Sequence, residues 1–234
     1  SNWMLSKRVL FGSKVFFLKN ICRYDFPLPP GFVITTELHR YGNIVRSHPG
    51  IEREMDELLR YNITRLESQT GLRYGDPEAP LLFSVRSGAP MSLPGAMATF
   101  LNIGLNDEIT LKLSTRPNYG WTAWDCYRRL IQSWGMAYGI DRDEFDAVMI
   151  SFKRRHKVKL KTQFTPLQMR QMSESYKKVL ARHKLELEQD VFLQVKQAIM
   201  HVLDSWNTDR ARLYRQKLQI ADDWGTAVTI QKMV

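Results

Sequence analysis

The chain has 234 residues, 44% of them hydrophobic and 25% charged, a balance typical of a globular protein with a sizeable core. No apolar run reaches the roughly 18–20 residues of a membrane span, and Lys7, Arg8 and Lys14 interrupt the first apolar segment, which argues against a signal peptide and membrane association. The formal net charge of +10 favours anionic partners, such as nucleotides, phosphorylated metabolites or nucleic acid.

The first 107 residues alternate helix and strand patterns. Gly12-Ser13-Lys14 precedes an apolar run that predicts a helix after a short loop. Three prolines punctuate the chain before a predicted strand at 31–35. A helix is predicted over 52–69, because apolar residues recur at helical spacing and Gly71 follows as a stop. The apolar positions of this helix are Met55, Leu58, Leu59, Ile63 and Leu66.

A short apolar run at 81–85 predicts a buried strand that delivers Arg86 into a loop of small and turn-forming residues. A guanidinium presents a planar fork of donors that suits phosphate oxygens. Glycines such as Gly88 and Gly95 let backbone N–H groups approach an anion closely. The segment therefore predicts a phosphate-holding loop, although an arginine leaving a buried strand also serves as a salt-bridge partner.

Residues 117–206 are predicted to be nearly all helical. An aromatic-rich stripe from Trp121 to Trp134 indicates core packing rather than a cofactor site. Thr165 and Asp190 are predicted helix N-caps. The last nine residues, 226–234, predict a strand. Because a chain rarely ends on a buried strand with nothing to pair beyond it, we expect a fragment of something longer or a truncated natural copy.

The run KRRHKVKLK, from Lys153 to Lys161, concentrates part of the positive charge. We expect a solvated turn between helices there. A nucleic-acid patch is the alternative, but the run has no interleaved aromatic residues for stacking. Cys22 and Cys126 are the only cysteines, which is too few for a disulfide framework and favours a reducing, cytoplasmic location.

Several segments together resemble the nucleotide-binding domain of pyruvate, phosphate dikinases, in order and approximate spacing over nearly the whole chain. They are GSKVFFLKNICRYDFPLPPGFVITTE near the start, residues 80–107, 124–132, 139–141, 204–207 and 222–234. The pattern around Arg86 favours the dikinase branch over the related phosphoenolpyruvate synthases. The resemblance implies an α+β fold, a partial ATP-grasp domain in which two lobes hold ATP, with a large helical insert.

This resemblance divides the chain into three parts. Residues 1–110 are expected to form an α/β lobe with phosphate-contacting lysine and arginine loops. Residues 111–220 are expected to form a mainly helical subdomain, and 221–234 the start of the adenine-side strand, which is truncated.

The resemblance also assigns two cations. Lys14 and Arg86 match the basic residues that contact ATP phosphates, and they are the predicted catalytic residues. The family's glycines around the lysine are replaced by Ser13 and Val15. Because a β-branched residue does not easily adopt positive φ, we expect a stiffer loop at this point.

Two further groups of residues are assigned to ATP binding in the same way. The loop beside the phosphates comprises Gly95, Met97 and Thr99, and the strand along the adenine comprises Gln231, Met233 and Val234. Taken alone, Thr99 also suits a helix cap and Met233 ordinary core. Ala98 stands where the dikinases usually carry an acid, which puts a polar or metal-linked role for this position in doubt.

The family implies ATP as the bound nucleotide and Mg²⁺ as the metal, with the magnesium ligands outside this chain and no metal site within it. The parent enzyme converts ATP, phosphate and pyruvate to AMP, diphosphate and phosphoenolpyruvate through a phosphohistidine. The phosphohistidine and pyruvate-binding domains are the expected partners. We therefore predict the ATP-binding part of a pyruvate, phosphate dikinase-type phosphotransferase, inactive on its own.

Two other functions stay open. The departures at Ser13, Val15 and Ala98 would suit a non-catalytic nucleotide-binding or regulatory remnant of the fold. The net charge and the basic run would suit a nucleic-acid-binding protein, whose binding would fall steeply with salt. Nucleic acid is not the expected partner.

Overall fold

A computed structural model describes three stretches of the chain: residues 28–39, 48–88 and 97–234. The chain divides into two compact units, each assembled from separate segments. The first unit comprises residues 1–72, 83–99 and 196–234, and the second comprises 73–82 and 100–195. Helices together with a small antiparallel sheet confirm the predicted α+β class. The expected three-part division by role, with boundaries at residues 110 and 220, stays a prediction.

The described strands are β1 (Gly31–Ile34), β2 (Phe83–Gly88), β3 (Thr99–Ile103) and β4 (Ala227–Lys232). In the first unit β4 lies between β1 and β2 and runs antiparallel to both. Ile230 of β4 stands opposite Phe32 on one side and Val85 on the other. The strand predicted at 226–234 is therefore present as β4, and it is a central strand of its sheet.

Arg86 lies inside β2, not in a loop after it. The predicted strand ended at Val85, whereas β2 continues through Ser87 and Gly88, which pair with Val228 and Ala227 of β4. The cause is long-range pairing: β4 supplies partners for small residues that on local grounds predict a loop. Residues 89–96, the rest of that predicted loop, lie outside the described residues.

The two faces of this sheet differ in polarity because side chains alternate along each strand. One face presents four apolar side chains with no solvent exposure, Phe83, Val85, Val228 and Ile230. The opposite face, which we call the polar face, carries Ser84, Arg86, Thr229 and Gln231. The pairing register places Arg86 directly opposite Thr229 and Ser84 directly opposite Gln231.

The helix α1 (Pro49–Thr70) contains the predicted helix 52–69 and ends as predicted at Gly71, whose φ of 70° is left-handed. Leu59, Ile63 and Leu66 form its buried face, whereas Leu58 is 58% exposed. In the first unit an ammonium group ties a later helix to α1. Lys196 Nζ lies 2.7 Å from Glu52 Oε1 and 2.9 Å from Asp56 Oδ1.

The α-helices described after α1 are α2 (Asp107–Ser114), α3 (Gly120–Ala137), α4 (Arg142–His156), α5 (Pro166–Arg182), α6 (Val191–Ser205) and α7 (Asp209–Leu218). In the second unit α3 packs against α2, α4 and α5. Its aromatic stripe is core, as predicted: Trp124, Tyr127 and Trp134 are buried, and Trp134 Nε1 donates to the Glu186 carbonyl at 3.2 Å.

Both predicted N-caps are confirmed. Thr165 caps α5 in a reciprocal capping box with Gln168. Asp190 Oδ1 accepts from the backbone N–H groups of Phe192 and Leu193 at the start of α6. Part of the basic run is helical: its first four residues form the last turn of α4, which Lys157 ends in a left-handed conformation. Cations there face the negative end of the helix dipole, which stabilises the turn.

The segment before β4 is held by a cluster around Trp206 in the first unit. Arg215 is 1% exposed, its guanidinium lies 4.3 Å from the Trp206 ring centroid, and its Nε donates to Asp222 Oδ1 at 2.7 Å. Trp206 Nε1 donates to the Asp222 carbonyl at 3.0 Å. Gly225 follows with φ 65° and ψ −171°, a conformation that only glycine adopts readily. A Cβ at Gly225 would also lie 2.8 Å from the His39 ring.

Within the three described stretches, no helix combines the length and the apolar character that crossing a bilayer requires. Cys126 is a free thiol whose pKa is raised by burial. Cys22 lies outside the described residues.

Candidate functional site

Arg86 lies at the middle of the polar face and is held there by one hydroxyl. Its Nη2 donates to Ser84 Oγ at 2.9 Å, two residues earlier on the same face of β2. Ser84 is 1% exposed, and its Oγ donates in turn to the Gln231 carbonyl at 3.4 Å. The backbone of β4 therefore fixes Ser84, and Ser84 fixes one edge of the guanidinium.

The other edge of this guanidinium has no partner among the described residues. Arg86 Nε is buried and makes no hydrogen bond, and no ion pair joins Arg86 to a carboxylate within the described stretches. A buried donor without an acceptor is costly, so native proteins rarely leave one unless a ligand or water fills the gap. The alternative role of Arg86 as a salt-bridge partner is therefore not supported, because no carboxylate of the described residues pairs with it.

Thr229 carries a second such group on the same face. It is 8% exposed, and its Oγ1 is buried without a hydrogen-bond partner in the described chain. Directly opposed residues of an antiparallel pair have Cβ atoms about 4.5–5.5 Å apart. The register therefore places the Thr229 side chain beside the base of the Arg86 side chain.

Gln231 belongs to the polar face and also links β4 to the segment just before β1. Its Nε2 donates to the Pro29 carbonyl at 3.0 Å, so its amide side chain is engaged beside β1. Gly31 stands opposite Gln231 and lets the strands approach closely, since a Cβ at Gly31 would lie 2.4 Å from the Ile230 carbonyl oxygen. Met233 and Val234 follow the last residue of β4, and Val234 is fully exposed.

The other assigned residues are distributed as follows. Met97 packs against the Trp206 cluster, and Ser205 Oγ lies 3.8 Å from its sulfur. Thr99 is the exposed first residue of β3 and caps no helix. Lys14 and Gly95 lie outside the described residues, as do Ser13 and Val15. Of the assigned residues that the structure describes, it brings Arg86 and Gln231 onto one face.

Sequence reasoning missed Ser84 and Thr229 as members of this face. The period of two was visible around both, because apolar residues flank Ser84 in β2 and Thr229 in β4. The missing information was that the two strands pair, since Arg86 and Thr229 are 143 positions apart.

Two other features of the described chain do not coincide with this face. A cavity of about 360 Å³ lies between β1, α1 and α6, and no assigned site residue lines it. Its largely apolar lining includes Phe32, Ile34, Met55, Leu59 and Ile199. No group of three or more His, Cys, Asp and Glu side chains suited to a metal ion is present among the described residues.

Comparison with known proteins gives one consistent family. Residues 47–234 match the family described as "Pyruvate phosphate dikinase, AMP/ATP-binding domain". The chain is 38% identical over 226 residues to "Pyruvate, phosphate dikinase" of Rhizobium meliloti (strain 1021), covering 95% of this chain and 25% of that protein. It is 36% identical over 233 residues to the protein of that name from Clostridium symbiosum, covering 98% and 26%.

The dikinase of Giardia intestinalis is 35% identical over 236 residues, covering 100% of this chain and 26% of that protein. The chain thus spans about a quarter of the length of these curated relatives. Because the family match covers most of its residues, the chain belongs to the pyruvate phosphate dikinase AMP/ATP-binding domain family.

Proposed function

We propose that this chain is the ATP-binding part of a pyruvate, phosphate dikinase-type phosphotransferase and that its fold is of the ATP-grasp type. The observation that carries the proposal is the guanidinium of Arg86. It lies on the polar face with one edge bonded to Ser84, with Nε buried and unpartnered, and with no carboxylate paired to it in the described chain. An unneutralised, partly buried cation is suited to an anionic ligand.

The donor chemistry of this face fits a nucleotide phosphate. Phosphoryl transfer depends mainly on positioning and charge neutralisation, which fixed cations and hydroxyl groups supply. Arg86 binds phosphate oxygens, and Lys14 contributes a second cation by family correspondence. Gly95, Met97 and Thr99 form the adjoining loop. Gln231, Met233 and Val234 lie along the adenine.

The proposal extends to the reaction of the whole enzyme. It converts ATP, pyruvate and phosphate to AMP, phosphoenolpyruvate and diphosphate through a phosphohistidine. The phosphohistidine, the pyruvate site and the Mg²⁺ ligands belong to parts of the enzyme other than this chain. The role of this chain is to bind ATP and to orient its phosphates, and Mg²⁺ bound there would neutralise phosphate charge.

A non-catalytic nucleotide-binding module is the second candidate. Ala98 favours it, because this residue stands where the dikinases usually carry an acid and is partly buried beside Met97. The two functions differ in turnover, whereas both require the nucleotide site. The measurement that distinguishes them is ATP-dependent phosphorylation of a full-length enzyme that contains this region. Phosphorylation supports the dikinase function, and ATP binding without phosphorylation supports the non-catalytic module.

Removal of the Arg86 guanidinium tests the nucleotide site. We expect Arg86→Ala to weaken Mg-ATP binding to this chain by about 10- to 100-fold, because a hydrogen-bonded charge is lost from the phosphates. Isothermal titration calorimetry measures this. Arg65→Ala is the matched control, since it removes the same charge from an exposed position of α1 in the same unit. Equal affinities of the Arg86→Ala and wild-type chains would contradict the site.

A further inference from the structure

The hydroxyl of Thr229 is the second unpartnered polar group of the polar face. Thr229 is more than nine-tenths buried, and its Oγ1 has no hydrogen-bond partner among the described residues. The pairing register sets it opposite Arg86, whose Nε is also buried and unpartnered. Two orphan donors therefore occupy directly opposed positions on one face of one sheet.

Packing and strand formation give no reason for a hydroxyl at this position. Valine has the same shape as threonine, shares its preference for strands and has no polar group to satisfy. Val33 of β1 stands directly opposite Thr229 and shows that this face accepts an aliphatic side chain. An unbonded hydroxyl at Thr229 is thus a cost to the folded chain that an aliphatic residue would avoid.

Other hydroxyl groups along these strands are used within the protein. Ser84 Oγ accepts from Arg86, and Ser87 Oγ lies 2.9 Å from Thr226 Oγ1 in a buried hydrogen bond. Their roles are structural and complete. Thr229 differs from them because its oxygen has no hydrogen-bond partner in the described structure, and the residue opposite it on the polar face is the cation Arg86.

We infer that Thr229 Oγ1 and Arg86 Nε form one anion-binding site that holds a phosphate oxygen of the nucleotide, an inference that rests on the proposed ATP site. Both groups donate a hydrogen bond, so an oxyanion placed between them satisfies both at once. The guanidinium charge selects an anion over a neutral acceptor. The Thr229 hydroxyl fixes the direction of approach, because it belongs to a central strand that pairs on both sides.

The test compares two substitutions at one position. Thr229→Val removes only the hydroxyl, and we expect it to weaken binding of both Mg-ATP and inorganic tripolyphosphate to this chain by about tenfold. Thr229→Ser keeps the hydroxyl and should bind within about twofold of wild type. Resistance to urea should be unchanged or higher in Thr229→Val, since an unsatisfied polar group is removed from the folded state.

A matched control exists in the second unit. Thr110 of α2 has no solvent exposure and a buried Oγ1 without a hydrogen-bond partner in the described chain. Thr110→Val therefore makes the same chemical change away from the polar face. We expect it to leave the affinities for both ligands unchanged.

Each outcome decides one question. If the wild-type chain binds neither Mg-ATP nor tripolyphosphate, the proposed nucleotide site fails, and the inference fails with it. If the wild type binds and Arg86→Ala weakens binding, but Thr229→Val binds like wild type, only the role of Thr229 is overturned. An equal loss in Thr110→Val also overturns that role, because the effect would then belong to any buried hydroxyl.

Discussion

Asp125 of α3 is a buried carboxylate that faces three cations. Its Oδ1 accepts from Arg128 Nη2 at 2.9 Å, and its Oδ2 accepts from Lys161 at 2.7 Å and from Arg129 at 3.1 Å. Burial alone would raise the pKa of Asp125, but the hydrogen bond from Lys161 and the Arg128 charge outweigh it and lower the pKa. The carboxylate is therefore needed in its charged form to hold these side chains.

We expect Asp125→Asn to destabilise the chain by about 3–5 kcal/mol at neutral pH, because it leaves buried positive charge without its counterion. A lowered carboxyl pKa adds stability above the unfolded-state pKa, and this stability is lost as pH falls through the folded-state pKa. The difference in the free energy of unfolding between the wild type and Asp125→Asn should therefore become smaller at acidic pH. Urea unfolding at neutral and acidic pH measures it, and a difference independent of pH would contradict the assigned role.

Arg86 shows what residue-level reasoning can and cannot predict. A cation after an apolar run among small residues predicts phosphate binding by Arg86, and this role stays a prediction. The position of Arg86 inside β2 was not predicted, because Ser87 and Gly88 have little strand preference of their own and gain partners from β4. For the same reason Ser84 and Thr229 were missed, although their alternation with apolar residues was visible.

Among the elements, the helix ends were predicted correctly from the sequence, because they depend on local interactions. The capping box of α5, the Asp190 cap of α6 and the glycine stop of α1 each depend on residues within one turn of a helix end. The central place of β4 depends instead on contacts with β1 and β2, which no short window contains. Strand order was therefore beyond prediction, whereas the strand itself was predicted within two residues at each end.

Close approach at Gly31 gives a test of the pairing between β1 and β4. A Cβ there would lie 2.4 Å from a backbone oxygen that no rotamer change can move. We expect Gly31→Ala to destabilise the chain by about 1–3 kcal/mol, measured by urea unfolding. Gly50→Ala is the control: its Cβ would meet nothing within 4 Å in the first turn of α1, and alanine there should stabilise by up to about 1 kcal/mol. A Gly31→Ala chain as stable as wild type would contradict the close approach of β1 and β4 at this position.

For the molecule as a whole, stability in mildly acidic solution should depend on His39. Burial is the main cause that lowers its pKa, and the nearby Arg215 charge adds to it, while Asp204 and a hydrogen bond with the Leu203 backbone act in the opposite direction. The folded chain then binds this proton less readily than the unfolded chain. Stability should therefore fall as pH drops below the ordinary histidine pKa.

The variant His39→Phe keeps an aromatic ring beside Trp206, whose centroid lies 6.2 Å from that of His39. It removes the titrating group, so we expect a smaller loss of stability between neutral and mildly acidic pH. Urea unfolding at several pH values in this range gives the free energy of unfolding as a function of pH for the wild type and for the variant. An identical slope in variant and wild type would assign the pH dependence to other groups.

Whole-molecule features were predictable only in outline. The order of motifs indicated the family, and their spread over nearly the whole chain indicated a partial nucleotide-binding domain. The two compact units each combine segments far apart in sequence. The composition of such units depends on which distant segments pack together, which a pass along the sequence does not show.

The place of β4 in its sheet has a consequence for synthesis. Gly31 pairs with Gln231, some 200 residues further along, and Phe83 pairs with Lys232. On the ribosome, β1 and β2 therefore emerge long before the strand that separates them, and their edges face solvent throughout elongation. Such high contact order makes formation of this sheet a late and slow step of folding. Until β4 is made, the exposed strand edges of the nascent chain can bind chaperones or aggregate.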